Sequence, residues 1–168
     1  MKQIPLGTSK SKIKGKIALV SDTDYALLNK YNWFAVSCKG RWYARTWVKL
    51  PEGGRKQVYM HRMLKSGGLK VDHKDGDGLN NQRNNLRYAT TAQNSWNCKM
   101  RSHNTTDYRC VYLIDGGRYY LATFEHEGKD VYCGRYKTAE EAARAYDKKV
   151  VGYRGKFAKT NFPQKKAA

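Results

Sequence analysis

The sequence predicts an α+β fold in which short strands and a few helices occupy separate segments. Runs rich in aromatic and β-branched residues at 33–37, 42–48 and 56–60 are divided by Gly and Pro, which is typical of a small antiparallel sheet. Residues 71–97 have the order strand, loop, strand, helix, and residues 108–152 have three strands before one helix. Strands and helices segregated in this way favour α+β over the regular alternation of an α/β fold.

Charge is the strongest compositional signal. The 168 residues include 33 Lys and Arg against 14 Asp and Glu, a net charge of +19. Such a field attracts polyanions, and the 13 Tyr and 4 Trp could stack on bases or line a core. No apolar run approaches the length that spans a membrane, and residues 1–6 lack the apolar segment of a signal peptide. We therefore expect a nucleic acid partner, no membrane and a cytoplasmic location.

Cysteine spacing argues against a structural zinc. No two of the 4 cysteines form the C-x-x-C pair of a zinc site. We expect small buried or free thiols in a reducing compartment, at Cys38, Cys98, Cys110 and Cys133.

The front of the chain is expected to lead into the rest as a small sheet. Residues 2–16 hold 5 lysines and no acid, which indicates either a solvated, partly flexible arm or a segment that lies along phosphates. Residues 17–20 predict a strand, and the groups at 21–24 predict a turn and N-cap before a short helix at 25–31. The aromatic strands that follow either complete the core of the next unit or also contact nucleic acid.

The predicted order of strands and helix in the middle of the chain brings polar side chains close together. A strand at 71–73, a loop at 74–85 and a strand at 86–90 precede a helix. A capping box between Thr90 and Gln93 marks the helix start, with the Thr90 hydroxyl as N-cap. Side chains at the end of the first strand are therefore expected near the first turn of the helix.

The groups that meet there have a definite chemistry. Mg²⁺ typically takes only one or two oxygen ligands from protein, and Asp72 and Asn94 could supply them. A neutral imidazole at His73 could take a proton from water near neutral pH. These are the parts needed for metal-assisted phosphodiester hydrolysis.

Together these residues resemble a known active site. Asp72-His73, the run 85–88 (NLRY) and Asn94 resemble the ββα-metal, or His-Me finger, site of HNH endonucleases, closest to the phage and intron-encoded homing type. The resemblance covers about residues 58–97 and implies a nuclease domain over residues 1–100. It also implies His73 as general base, one divalent ion (Mg²⁺ or Mn²⁺) on Asp72 and Asn94, double-stranded DNA as partner, and a bacterial or phage-infected cell.

Two polar residues of this unit have alternative interpretations. Asn85 is the middle residue of the HNH name, and the resemblance implies that it braces the loop and holds His73 in place, unless it is only a turn residue. His61 at a strand–helix junction is interpreted as a packed or hydrogen-bonded structural residue, with a catalytic role as the alternative.

Two arginines of the same unit are candidates for phosphate contact. Arg62 could reach a phosphate or simply be solvated. Arg87 lies on the second strand, where it could touch phosphate or pair with Asp75 or Asp77.

After a linker at 101–107, the last part of the chain predicts a second unit. Strands at 108–112, 119–124 and 131–136 are joined by Gly-containing turns, and a capping box at 138–141 opens a helix to about residue 152. Apolar residues recur on this helix at helical spacing and are expected to form its core face: Ala139, Ala142, Ala143, Tyr146 and Val150. Such a sheet, with basic and aromatic residues, suits the major groove of DNA.

This second unit is similar to the plant ethylene-response-factor (ERF), or Apetala-type, DNA-binding domain. The similarity spans residues 108–163, before a tail at 164–168. The segments that carry it are 108–111 (YRCV), 134–136 (GRY), 138–147 (TAEEAARAYD) and 155–163 (GKFAKTNFP).

The ERF resemblance implies that strand arginines and aromatics contact DNA. Arg109 is the first candidate, followed by Arg118, Tyr120 and Tyr132, each of which could instead be solvated or paired within the fold. Cys110 and Tyr112 stand where the family usually has Gly and Arg, so the base preference of the plant proteins is not transferred.

The sequence thus predicts a site-directed, metal-dependent DNA endonuclease that binds DNA as a monomer, without a small-molecule cofactor. The alternative is a non-enzymatic, sequence-specific DNA-binding regulator in which the HNH unit is inert. An RNA-binding protein is a more distant alternative.

Overall fold

The computed structural model of the protein describes residues 1–7, 15–97 and 104–162. The chain divides into two units, Met1–Asn94 and Ser95–Ala168, and each has its own apolar core. The fold is α+β, with several small sheets and four α-helices in the described segments, as the sequence pattern predicted. None of the described helices is long and apolar enough to cross a membrane.

The elements follow one another in short steps along the chain. The first part contains β1 (Lys2–Pro5), β2 (Ile17–Val20), α1 (Asp22–Leu28), β3 (Phe34–Cys38), β4 (Arg41–Lys49), β5 (Arg55–Tyr59), α2 (Met60–Leu64), β6 (Lys70–His73), β7 (Asn80–Asn81), β8 (Leu86–Ala89) and α3 (Thr91–Trp96). The second part contains β9 (Val111–Ile114), β10 (Tyr119–His126), β11 (Lys129–Tyr136) and α4 (Ala139–Arg154).

The sheets of the first unit are small. Strands β3, β4 and β5 form an antiparallel sheet, within one residue of the predicted bounds. Strand β6 pairs with β8 in an antiparallel ladder. Strand β2 pairs antiparallel with β1 on one side and parallel with the short β7 on the other, so a strand of the predicted loop 74–85 joins the N-terminal sheet.

Strand β1 corrects the expectation that residues 2–16 form a lysine arm. Ile4 and Leu6 are buried in the core, and their alternation with exposed neighbours is the period of a strand with one buried face. The arm residues Lys10, Lys12 and Lys14, like Cys98, lie outside the described residues.

Helix α1 begins three residues earlier than the predicted 25–31. Ser21 is one of the residues expected to cap this helix, but its hydroxyl instead accepts from the backbone N–H of Arg83 at 2.9 Å. The buried carboxylate of Asp24 accepts from Nε and Nη2 of Arg83 at 2.6–2.9 Å. Arg83 therefore anchors the segment before β8 to the start of α1.

The second unit is a three-stranded antiparallel sheet, in the order β11-β10-β9, covered by α4. The predicted capping box is present: Glu141 N–H donates to Thr138 Oγ1 at 3.3 Å, and Thr138 N–H donates to Glu141 Oε2 at 3.2 Å. Glu127 and Gly128, at φ 52° and 75°, make the tight turn of the β10–β11 hairpin. The predicted core face of α4 is confirmed: Ala142, Ala143, Tyr146 and Val150 are buried, and Ala139 is partly buried and packs against the same core.

The first strand of this sheet begins at Val111, not at residue 108. Cys110 has a φ of 58°, a left-handed conformation that breaks extended backbone. The side chain of Asn161 forms two hydrogen bonds with the backbone of Arg109. Its oxygen accepts from the Arg109 N–H at 2.6 Å, and its nitrogen donates to the Arg109 carbonyl at 3.2 Å. Arg109 therefore lies in a turn before the sheet rather than on a strand.

Candidate active site

The candidate site is built on the β6–β8 ladder. The register pairs Asp72 with Arg87 and His73 with Leu86, so His73 is the last residue of β6 and leads into the loop. The predicted capping box of α3 is confirmed: Thr90 N–H donates to Gln93 Oε1 at 3.0 Å and Gln93 N–H to Thr90 Oγ1 at 3.2 Å. Asn94 lies in the first turn of that helix, its N–H donating to the Thr90 carbonyl.

Asp72 is a buried carboxylate with a cationic neighbour. It is 3% exposed, and Arg87 donates from Nε at 2.9 Å and lies with Nη2 2.8 Å from the same oxygen, Oδ2. Arg87 therefore pairs with Asp72, a partner outside the two alternatives offered from the sequence, which were phosphate and the loop carboxylates Asp75 or Asp77. The cause is the register, because directly opposed residues of a ladder point to the same face.

His73 is buried and held by an asparagine that the sequence interpretation missed. His73 Nε2 lies 3.2 Å from Asn81 Oδ1. The amide nitrogen of Asn81 donates to the carbonyls of Leu79, at 3.1 Å, and Gly78, at 3.5 Å, so its oxygen faces the imidazole. Nε2 is then the nitrogen that carries the proton, and Nδ1 is the basic one.

The environment of His73 favours the neutral form of its imidazole. Burial lowers the pKa of His73 below its ordinary value of 6.5, and the Asn81 hydrogen bond and the carboxylates of Asp75, Asp72 and Asp77 oppose that shift in part. A neutral imidazole is the form that can accept a proton from water.

Asn85 ties the loop together through its side chain. Its amide nitrogen donates to Asp75 Oδ1 at 2.9 Å and to the Asn80 carbonyl at 2.8 Å. The N–H of Asp75 donates back to Asn85 Oδ1 at 3.2 Å. The loop is thus braced by side-chain hydrogen bonds at Asn85, while the direct hydrogen bond to His73 comes from Asn81. Neither the parallel pairing of β7 nor this contact has a local signal in the sequence.

Aromatic rings surround the His73 imidazole. The ring centroids of Tyr43 and His61 lie 6.1 Å and 5.0 Å from it, and Tyr59 stacks on His61 at 5.5 Å. Gly78 packs against the Tyr43 ring, and a Cβ added at Gly78 would lie 2.5 Å from that ring. His61 Nδ1 is buried without a hydrogen-bond partner in the described part of the chain, a state that costs about 1–3 kcal/mol.

The first-unit arginines predicted to contact DNA differ in their surroundings. Arg62 is exposed, with its guanidinium carbon 5.9 Å from the centroid of the Tyr59 ring. Arg87 is mostly buried and engaged with Asp72. Arg62 is thus accessible to a phosphate, whereas Arg87 lies within the candidate site itself.

In the second unit, one predicted contact residue lies on the face of the sheet that α4 covers. Tyr120 packs against the core under α4 together with Ala122 and Phe124, because alternate residues of a strand share a face. Tyr132 is 60% exposed and pairs with Thr123 on the other face. Arg118 is exposed in the turn before β10.

The open face of this sheet also holds residues that the sequence interpretation missed. The register shifts between Ala122 and Thr123, and this bulge puts Tyr132 and Arg135 on one face although they are three residues apart. The Arg135 guanidinium lies 3.8 Å from the centroid of the Tyr119 ring and 2.6 Å from Asp115 Oδ2. Tyr112, on β9, is half exposed on the same face.

The donors present suit a hard divalent cation. Asp72 and Asn94 offer a carboxylate and an amide oxygen, the ligands that Mg²⁺ or Mn²⁺ binds. Asp72 is buried, and the guanidinium of Arg87 already lies against its carboxylate. Within 1–7, 15–97 and 104–162, no three His, Cys, Asp or Glu side chains are placed to hold a metal ion. A metal at Asp72 and Asn94 would therefore take its remaining ligands from water and phosphate.

Comparison with known families bears on the same segment. Residues 59–96 match the family model of HNH endonucleases. The match contains β6, the braced loop, β8 and α3, and HNH nucleases generally depend on a divalent metal. The chain therefore contains an HNH nuclease segment, and the protein is a DNA endonuclease, a hydrolase.

Proposed function

We propose that this protein is a site-directed, metal-dependent DNA endonuclease of the homing type, in which His73 is the general base. The observation that carries the proposal is the buried imidazole of His73, which Asn81 orients at the end of β6, one residue after Asp72. In the proposed mechanism, Nδ1 of His73 accepts a proton from the water that attacks the scissile phosphorus.

The metal would be held by Asp72 and Asn94. A bound divalent ion supplies a Lewis acid that stabilises negative charge on the phosphoryl oxygens and on the 3′ leaving oxygen. Arg87 keeps the Asp72 carboxylate oriented through their ion pair, and its position beside the site also suits a contact with the bound phosphodiester. Asn85 keeps the loop in shape, and Arg62 offers an exposed cation to a neighbouring phosphate.

The second unit would hold the DNA as an ERF-like domain does. Support comes from the open face of its sheet, where Tyr112, Tyr119, Tyr132 and Arg135 form a basic and aromatic surface opposite α4. Strands of this kind can enter the major groove and contact base edges. Arg109 and Arg118, in the turns before β9 and β10, would contact the adjoining backbone. The partner is double-stranded DNA, bound by a monomer.

Cleavage of supercoiled plasmid tests the proposal. Purified protein with Mg²⁺ or Mn²⁺ is expected to produce nicked or linear DNA, and a chelator is expected to stop the reaction without unfolding the protein. Asp72→Asn and Asn94→Ala should need more metal for the same rate. Binding to a defined DNA site without cleavage under any of these metals would instead support a non-enzymatic regulator.

A further inference from the structure

His61 lies directly against the proposed base. It is the second residue of α2 and is 8% exposed. Its ring is 5.0 Å from that of His73 with an angle of 81° between the planes. The Tyr59 ring also stacks on the His61 ring, with an angle of 25° between the two planes, and Tyr43 contacts both histidines. The orientation of the His73 imidazole is therefore limited on one side by the ring of His61.

A packing role alone does not call for a histidine here. A phenylalanine would fill a cage of aromatic rings with nearly the same shape and without a buried polar atom. His61 Nδ1 has no hydrogen-bond partner among the described residues, whereas most buried polar side-chain atoms in proteins have one. The missing partner is thus expected to come from outside the described residues.

The contribution of His61 is not a charge. Burial first, and then the neighbouring charges of His73 and Arg62, lower the pKa of His61 to about 3. At neutral pH the ring therefore has one N–H and one lone pair. A neutral ring can hydrogen-bond to a phosphate oxygen or to water without adding positive charge beside the group that must accept a proton.

We propose that His61 is a positioning residue of the cleavage site: its ring fixes the imidazole of His73, and its Nδ1 takes a hydrogen-bond partner that arrives with the scissile phosphodiester. The inference rests on the proposed role of His73 as base. Hydrogen bonds of an active site often form only in the substrate complex, so an unpaired Nδ1 is the state expected before DNA binds.

The test compares three variants in single-turnover cleavage of supercoiled plasmid with saturating Mg²⁺. His61→Phe keeps the ring and removes the nitrogens, His61→Asn places an amide near the position of Nδ1, and His126→Phe is the matched control. His126 also has a buried, unpaired Nδ1 and stacks on an aromatic ring, that of Trp96 at 5.4 Å, but it belongs to the second unit.

His61→Phe is expected to lower the cleavage rate by about tenfold or more, the range for a lost active-site hydrogen bond. Its DNA Kd should be unchanged and its Tm equal to or above that of the parent. His61→Asn should recover most of the rate, and His126→Phe should cleave like the parent. A structural role would not produce a rate that falls while Tm rises.

Parental cleavage by His61→Phe overturns the inference. If His61→Phe does not fold, the test is made by comparing the cleavage rates of His61→Asn and His61→Leu. Equal rates for these two variants also overturn the inference. His73→Ala is assayed in parallel. Normal cleavage by His73→Ala refutes the base and with it the role of His61, whereas an inactive His73→Ala beside a normal His61→Phe refutes the role of His61 alone.

Discussion

Asp72 and Arg87 form a cross-strand ion pair in which Nε and Nη2 of the arginine lie 2.9 Å and 2.8 Å from one carboxylate oxygen. Both partners are largely buried, so the two charges depend on each other. If Asp72 also binds the metal, the ion and Arg87 stabilise the same carboxylate. Measuring how thermal stability changes with added metal then tests the site without a cleavage assay.

Arg87→Gln should therefore be destabilised and be partly rescued by metal. Removing one partner of a buried pair costs on the order of 3–5 kcal/mol, and Mg²⁺ should raise the Tm of Arg87→Gln more than that of the parent, because the ion replaces the lost positive charge. Thermal unfolding with and without Mg²⁺ measures this. Arg144→Gln, which breaks an exposed pair with Glu140, is the control and should lose only about 0–1 kcal/mol. An unchanged Mg²⁺ effect in Asp72→Ala would exclude Asp72 as a ligand.

The buried histidine His61 predicts how stability depends on pH. Its pKa is lowered to about 3 in the folded protein, while in the unfolded chain it is near 6.5. Between these values the unfolded state binds more protons, so this group lowers the free energy of unfolding as pH falls from about 6.5 towards 3. Denaturant titrations across that window should show a shallower pH dependence for His61→Phe than for the parent. Parallel profiles would contradict the burial of a neutral His61.

The pH dependence of cleavage should reflect His73. Because burial holds its pKa below 6.5, the fraction in the basic form is already high at pH 6.5. Single-turnover rates at saturating DNA and metal should then lose half their value only at a pH below 6.5. A midpoint at or above 6.5 would mean that another group, or a differently placed His73, limits the reaction.

The open face of the C-terminal sheet should contribute to DNA affinity. Arg135→Gln and Tyr132→Ala should each weaken binding by about 1–3 kcal/mol if they contact bases directly. Lys148→Gln removes the same charge as Arg135→Gln, but from the exposed surface of α4. Titrations at fixed salt should give a larger loss for Arg135→Gln than for Lys148→Gln, and equal losses would argue against a DNA-binding sheet face.

Local features of this fold were readable from the sequence because their signals are local. Both capping boxes, at Thr90 and Thr138, need only residues three apart. The core face of α4 and the hairpin turn at Gly128 depend likewise on short patterns. The order of β6, the loop, β8 and α3 followed from such signals.

Long-range features were not readable. The pairing of β7 with β2 brings Asn81 to His73 through contacts that no short pattern encodes. The bulge at Thr123 brings Arg135 onto the open face, against the simple alternation of a strand. For Arg87 the sequence offered phosphate or a carboxylate of the nearby loop, whereas its partner Asp72 is set by the register across the ladder.

Single-turnover cleavage by His73→Ala tests the central claim most directly. The substrate is supercoiled plasmid with saturating Mg²⁺, and DNA affinity and Tm are measured alongside. Loss of a general base should lower the rate by about 10²–10⁴-fold, with DNA affinity nearly unchanged and the protein folded. Cleavage by His73→Ala at the parental rate would contradict the assignment of His73 as the base of this endonuclease.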